Sequence, residues 1–113
     1  MELQLEKKDR AILARISGEI DLAVADHLRS ALERGLDDHA GVRNIVVNLS
    51  GVKYIDSSGL GVLLGRYKRV SRDGGSIFIV GASPPVRKII EMSGLLRIMR
   101  ECPSEEDALN QAG

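Results

Sequence analysis

Val52-Lys53-Tyr54-Ile55-Asp56-Ser57-Ser58-Gly59-Leu60-Gly61 is the stretch on which the fold turns. Val52 to Ile55 reads as a short strand that runs straight into a polar, small-residue junction. A helix follows, because Leu60, Leu63, Leu64, Tyr67 and Val70 recur at helical spacing along one stripe. Asp73-Gly74-Gly75 is a strong stop signal. Ile77 to Val80 is then a continuous apolar run, the kind of strand that a parallel sheet buries on both faces.

Outward from that unit the same alternation continues. Upstream, Ile45-Val46-Val47 starts a buried, β-branched strand ending near Leu49, after a linker closed by Gly41. Before it, Val24, Leu28, Ala31, Leu32 and Leu36 fall at helical spacing, and Asp21 stands where its carboxylate could cap the first turn. Leu3 and Leu5 alternate with polar residues, Lys7 to Arg10 reads as a turn, and Ala11 to Ile16 completes a hairpin. Downstream, Ser83-Pro84 opens a helix with inner face Val86, Ile89 and Ile90, which Gly94 closes. A short strand is expected around Arg97 to Met99. Ser104-Glu105-Glu106-Asp107 opens a last helix, its acids in the turn where the helix dipole favours them. Two strands followed by alternating helix and strand predict a single α/β domain over residues 1–113. Its sheet is mixed and mostly parallel, about five strands packed with about four α-helices.

Composition narrows the function. The chain has 113 residues, 43% hydrophobic and 28% charged, with Lys plus Arg and Asp plus Glu balanced at 16 each. Zero net charge argues against a general nucleic-acid or anionic-membrane binder. Cys102 is the only cysteine, so neither a disulfide within the chain nor a CxxC metal or redox pair can form. No apolar run approaches the ~18 residues of a membrane span, and the N-terminus lacks the order of a signal peptide. The expectation is a cytoplasmic protein with no cofactor and no metal.

The junction Asp56 to Gly61 fails the sharper catalytic patterns. Gly59-Leu60-Gly61 lacks the third glycine of a dinucleotide fingerprint. No Gly-Lys-Ser/Thr is present for a phosphate loop, and neither Ser57 nor Ser58 has the glycine two residues upstream that a nucleophile elbow needs. The two histidines, His27 and His39, fall in or just after the first helix, so a serine hydrolase using Ser57 or Ser58 with His27 as base is a remote alternative. Two readings of the junction stay open. Asp56, Ser57 and Ser58 could be a redundant capping cluster. Alternatively one hydroxyl caps and the other faces outward, with glycines keeping the surface flat for a partner's backbone. Gly65 is read as letting the helix lie close to the sheet, and Gly61 as doing so in part. The basic run Arg66, Lys68, Arg69 and Arg72 is read as a solvated face, with a patch for an acidic partner as the alternative.

Gly18-Glu19-Ile20-Asp21, Asp56-Ser57-Ser58-Gly59-Leu60-Gly61, Gly65-Arg66-Tyr67-Lys68 and Ser93-Gly94-Leu95 together resemble the anti-sigma factor antagonists of the STAS domain family, and the sporulation type in particular. The resemblance runs over nearly the whole chain. It implies a sheet flanked by helices and a switch in which the serine after the aspartate, here Ser57, is phosphorylated by an anti-sigma factor that is both partner and serine kinase. The unphosphorylated form would capture that factor and free a sigma factor; a serine phosphatase would restore it. Asp21, Asp56, Ser57, Ser58, Gly59, Leu60 and Gly61 would then form the partner-binding surface. Independently of the resemblance, the helix N-terminus with its unpaired amides can hold the phosphate locally. A STAS subunit of a transporter or stress-signalling assembly is the alternative. The free protein is expected to be monomeric, since no long apolar stripe is left over.

Overall fold

The computed structural model describes residues 1–113. In chain order the elements are β1 (Glu2–Lys8), β2 (Ala11–Ile20), α1 (Leu22–Asp37), β3 (Asn44–Ile55), α2 (Ser57–Arg72), β4 (Ile77–Val80), α3 (Pro84–Met92), a short 3-10 turn (Leu95–Arg97), β5 (Arg100–Cys102) and α4 (Glu105–Ala112). The sheet follows chain order, β1-β2-β3-β4-β5. β1 is antiparallel to β2, and every other pairing is parallel. This is the mixed, mostly parallel α/β sheet with four helices that the alternation of periods predicts.

Alternating side chains split the interior into two cores of unequal size. Ile12, Ala14, Ile16 and Ile20 of β2, with Ile45, Val47, Leu49, Val52 and Ile55 of β3, face α1, α2 and α3. The opposite face holds Ala11, Leu13, Val46, Phe78, Val80 and Cys102, and α4 contributes Ala108 to that smaller cluster. α4 is fastened by charge as well as by packing. Arg15 makes a two-pronged bond to Glu105, Nε to Oε2 at 2.9 Å and Nη2 to Oε1 at 2.8 Å, while Asn48 Nδ2 donates to Oε2 at 2.6 Å. These bonds favour the ionised acid and hold the Glu105 carboxyl below the usual carboxylate range, against a partial loss of hydration.

Four local readings are corrected. The two runs 45–49 and 52–55 are one strand, and the apparent break at Ser50-Gly51 is a bulge. The pairing passes from Arg15↔Asn48 to Ser17↔Gly51 and from Gly18↔Val52 to Glu19↔Tyr54, so β3 carries an extra residue at each step. Gly51 is required there, because a Cβ would lie 2.8 Å from Ser17 Cβ and 3.2 Å from its Cα. At the hairpin, β1 runs on to Lys8 and the reversal takes only Asp9 and Arg10, with Asp9 in the left-handed region at φ 53°. The expected strand at 97–99 lies at Arg100–Cys102, because left-handed Gly94 leads into the 3-10 turn that inserts Leu95 into the core. Finally, Ser83 occupies the cap position of α3 but its side chain makes no cap bond; Ser104 does cap α4, accepting from Asp107 N at 3.1 Å.

The depressed Glu105 pKa fixes a pH dependence. A carboxyl whose folded pKa lies below its unfolded value of ~4.3 contributes stability above that value and loses it as pH falls through the folded pKa. Glu105→Gln should therefore be destabilised relative to the wild-type chain at neutral pH, with the gap narrowing below about pH 4. Denaturant midpoints of both proteins across that range test this; a gap independent of pH would remove the ion pair from the explanation.

Candidate functional site

The parallel pairing of β2 and β3 ends with Ile20 opposite Ile55, and Asp56 N donates to Ile20 O at 3.1 Å. The next residue on each strand is an aspartate, so Asp21 and Asp56 stand side by side at the C-terminal edge of the sheet, each at the start of a helix. Gly59 shows how tightly α2 is set there. A Cβ on it would lie 2.7 Å from both Ile20 Cγ2 and Ile55 Cγ1. Only hydrogen fits at that point, and the first turn of α2 rests on the last residues of both strands.

Asp56 caps α2 with its carboxylate. Oδ1 accepts from Ser58 N at 2.9 Å and Gly59 N at 3.2 Å, while the Asp56 carbonyl accepts from Leu60 N at 3.0 Å. Neither serine hydroxyl acts as a cap, so the structure departs from both readings: the aspartate alone caps the helix and no serine is spent on it. Ser57 is exposed at the first helical position, and its hydroxyl has no hydrogen-bond partner in the protein; Ser58 is half-buried. Gly61 is exposed, and a Cβ placed on it would meet nothing within 4 Å, whereas Gly59 is buried and Leu60 half-buried against the core. The outward face of the junction is thus Asp56, Ser57, Ser58 and Gly61, with Gly59 and Leu60 beneath it.

Asp21 behaves differently from its expected role. It occupies the cap position of α1 with an extended backbone, yet its carboxylate makes no cap bond. The amides of Val24 and Ala25 are taken by the Asp21 carbonyl instead, and Oδ1 is buried without a partner. Two apolar residues that the periodicity does not single out share this edge. Leu22 is 76% exposed and Tyr54 47% exposed. Leu22 lies off the apolar stripe of α1, which is the signal that could have marked it. Tyr54 is thrown outward by the second bulge of β3, for which the letters carry no clear sign.

The readings of Gly65 and of the basic run are also revised. A Cβ at Gly65 would meet nothing within 4 Å, so close approach to the sheet belongs to Gly59. Arg66 and Arg69 point to α1, not to a partner. Arg69 pairs with Glu33 and Asp37, and Arg66 Nε comes within 2.7 Å of Glu33 Oε1. The Arg66 side chain is only 12% exposed; its Nε–H is not aimed at that oxygen and Nη1 has no partner. Burial accordingly pulls its pKa down, with Glu33 opposing. Lys68 and Arg72 remain exposed. No histidine supports either serine: His27 is exposed on α1 without a hydrogen bond to them, and His39 Nδ1 lies 2.9 Å from Gly35 O at the far end of that helix.

The STAS domain family model matches residues 2–108. The chain belongs to the STAS domain family. Among STAS relatives, an anti-sigma F factor antagonist of Paenibacillus polymyxa is 33% identical over 111 residues, covering 98% of this chain and 94% of that protein. An anti-sigma-B factor antagonist of Staphylococcus aureus is 29% identical over 99 residues, covering 88% and 90%. The solved anti-sigma factor antagonist SpoIIAA superposes in its unphosphorylated form with a TM-score of 0.84 at 29% identity, covering 97% of this chain and 95% of that one. The phosphorylated form of SpoIIAA from Bacillus gives 0.77 at 27% identity, covering 99% and 100%. No helix of this STAS chain is long and apolar enough to cross a membrane.

The glycines of the STAS junction separate structure from surface. Gly59→Ala should destabilise the fold by about 1–3 kcal/mol, as expected for overpacking, while Gly61→Ala should be neutral or slightly stabilising because alanine favours helix. Urea midpoints of the two variants measure this; equal losses would mean that the close approach at Gly59 is relieved by a shift of α2.

Proposed function

We propose that this STAS protein is an anti-sigma factor antagonist, a cytoplasmic binding protein switched by phosphorylation of Ser57. The antagonist names carried by its relatives at near-full coverage support the activity. The observation that carries the switch is the division of labour at the α2 start: Asp56 does the capping, which leaves the Ser57 hydroxyl exposed and unbonded. The partner is an anti-sigma factor acting also as serine kinase, and a serine phosphatase reverses the reaction. Asp21, Asp56, Ser57, Ser58 and Gly61 form the docking edge, with Leu22 and Tyr54 supplying apolar area beside them.

The geometry alters how the phosphate acts. The unpaired amides expected at a helix N-terminus lead to an expectation of local phosphate capture, but the Ser58, Gly59 and Leu60 amides already have Asp56 as acceptor. The phosphate therefore stays on the surface, adding about −1.5 to −2 charge beside two carboxylates. An interface closing over this edge would have to desolvate all of that charge, and release of the partner follows from repulsion. The fold itself has no reason to change.

The test is incubation with the cognate anti-sigma kinase and ATP, followed by mass spectrometry of the tryptic peptide Tyr54–Arg66. One added phosphate on Ser57, absent in Ser57→Ala, is expected; phosphate only at another residue would refute the switch. Ser57→Asp should weaken partner binding by about tenfold or more, ~1.4 kcal/mol, with the melting temperature nearly unchanged. Titration calorimetry and a thermal melt separate the two effects, and a large stability loss would contradict the surface-charge mechanism.

A further inference from the structure

The end of the sheet away from Ser57 gathers three arginines around one groove. Arg10 precedes β2, and its carbonyl accepts from both Arg43 N at 2.8 Å and Asn44 N at 3.1 Å, which holds Arg10 and Arg43 at the starts of adjacent strands. Arg100 opens β5 opposite Phe78 of β4, with its guanidinium carbon 5.8 Å from the ring centroid. All three line a groove of about 280 Å³ together with Asn44, Ser76 and Gln111, and no Asp or Glu lines it. Asn44 makes the floor rigid: Nδ2 donates to Ala112 O at 2.9 Å and Oδ1 accepts from Ser76 N at 2.8 Å.

Several arginines outside the groove are neutralised by carboxylates, although Arg34 of α1 and Arg72 of α2 are not. Arg15, Arg66, Arg69 and Arg87 each face a carboxylate within 4.0 Å. Arg10, Arg43 and Arg100 face none, although the chain as a whole has zero net charge. Three cations with no acidic side chain in the lining, beside Ala112 and Gly113 at the end of α4, raise the positive potential over this concave surface. Guanidinium forks match phosphate oxygens in geometry and charge. Arg43 precedes β3 and Arg100 opens β5, two strands away and level with Val46 through Phe78, so the two backbones stand roughly 14 Å apart. Long side chains reaching inward from that spacing suit a ligand with two anionic groups better than a single carboxylate.

We propose that this groove is an anion site for a small phosphate ligand, with diphosphate the better fit. The site is separate from the Ser57 edge and would hold even if Ser57 were never phosphorylated. The test titrates the full chain with sodium diphosphate, and in parallel with inorganic phosphate and chloride, at constant ionic strength while recording ¹H–¹⁵N spectra. Saturable shifts at Arg10, Arg43, Asn44, Ser76 and Arg100, tighter for diphosphate than for phosphate, are expected. Arg43→Gln and Arg100→Gln should each weaken that binding about tenfold or more, with the remaining spectrum superimposable on the wild type as the control for folding. Arg43→Lys, which keeps the charge and loses the fork, should fall between. Shifts that chloride reproduces, saturation centred on the helix starts near Ser57, or an affinity untouched by both glutamine variants would each overturn the assignment.

Discussion

The close approach of Gly59 to Ile20 and Ile55 is the constraint from which the edge carrying Asp21, Asp56 and Ser57 is built. Because Ile20 and Ile55 end paired, the two strands deliver Asp21 and Asp56 to the same place. Because Gly59 has no side chain, α2 can start directly on top of that pair. Asp56 then commits its carboxylate to the helix, which leaves Ser57 with nothing to do structurally. A bulkier residue at position 59 would lift the helix start and disturb each of these relations together.

Behind that edge, α1 and α2 are locked to one another by charge as well as by apolar packing. Glu33 is shared by Arg66 and Arg69, and Asp37 takes the second fork of Arg69. The arrangement leaves part of the Arg66 guanidinium buried and unpaired, a cost the surrounding apolar contacts must offset. Its effect is to fix the relative height of two helices whose first turns carry Asp21 and Ser57. Positioning of the Asp21–Ser57 edge and a charged helix–helix contact well below it are thus parts of one assembly.

The order of elements was legible in the sequence because each change of hydrophobic period, from two to 3.6 and back, coincides with a real boundary. The exposure of Ser57 was legible for a related reason, since Asp56-Ser57-Ser58 offers more capping groups than one helix needs. What escaped the letters depends on contacts distant in sequence. Ser50-Gly51 looks like a loop unless one knows that Ser17 presses against Gly51. Gly59, Gly61 and Gly65 are the same letter, and only the neighbouring strands tell them apart. Val62 is buried beside Leu63, yet an apolar stripe drawn through Leu60, Leu64 and Tyr67 passes it by. Asp21 has the sequence of a cap, but its carboxylate is turned away from the amides that a cap would meet.

The unequal lengths of the strands have a mechanical consequence. β4 pairs with β3 only from Ile45 to Asn48, and β1 leaves β2 at Ser17. Beyond those points Gly18–Ile20 and Val52–Ile55 continue as a two-stranded ribbon, given extra twist by the bulges in β3. The proposed docking edge is therefore carried at the tip of a cantilever, rooted in a five-stranded base. Each strand of the tip has one hydrogen-bonded neighbour where the base has two. The burial of Ile20, Val52 and Ile55 under the helices makes up the difference, so the stiffness of the tip rests on side-chain packing more than on the sheet ladder.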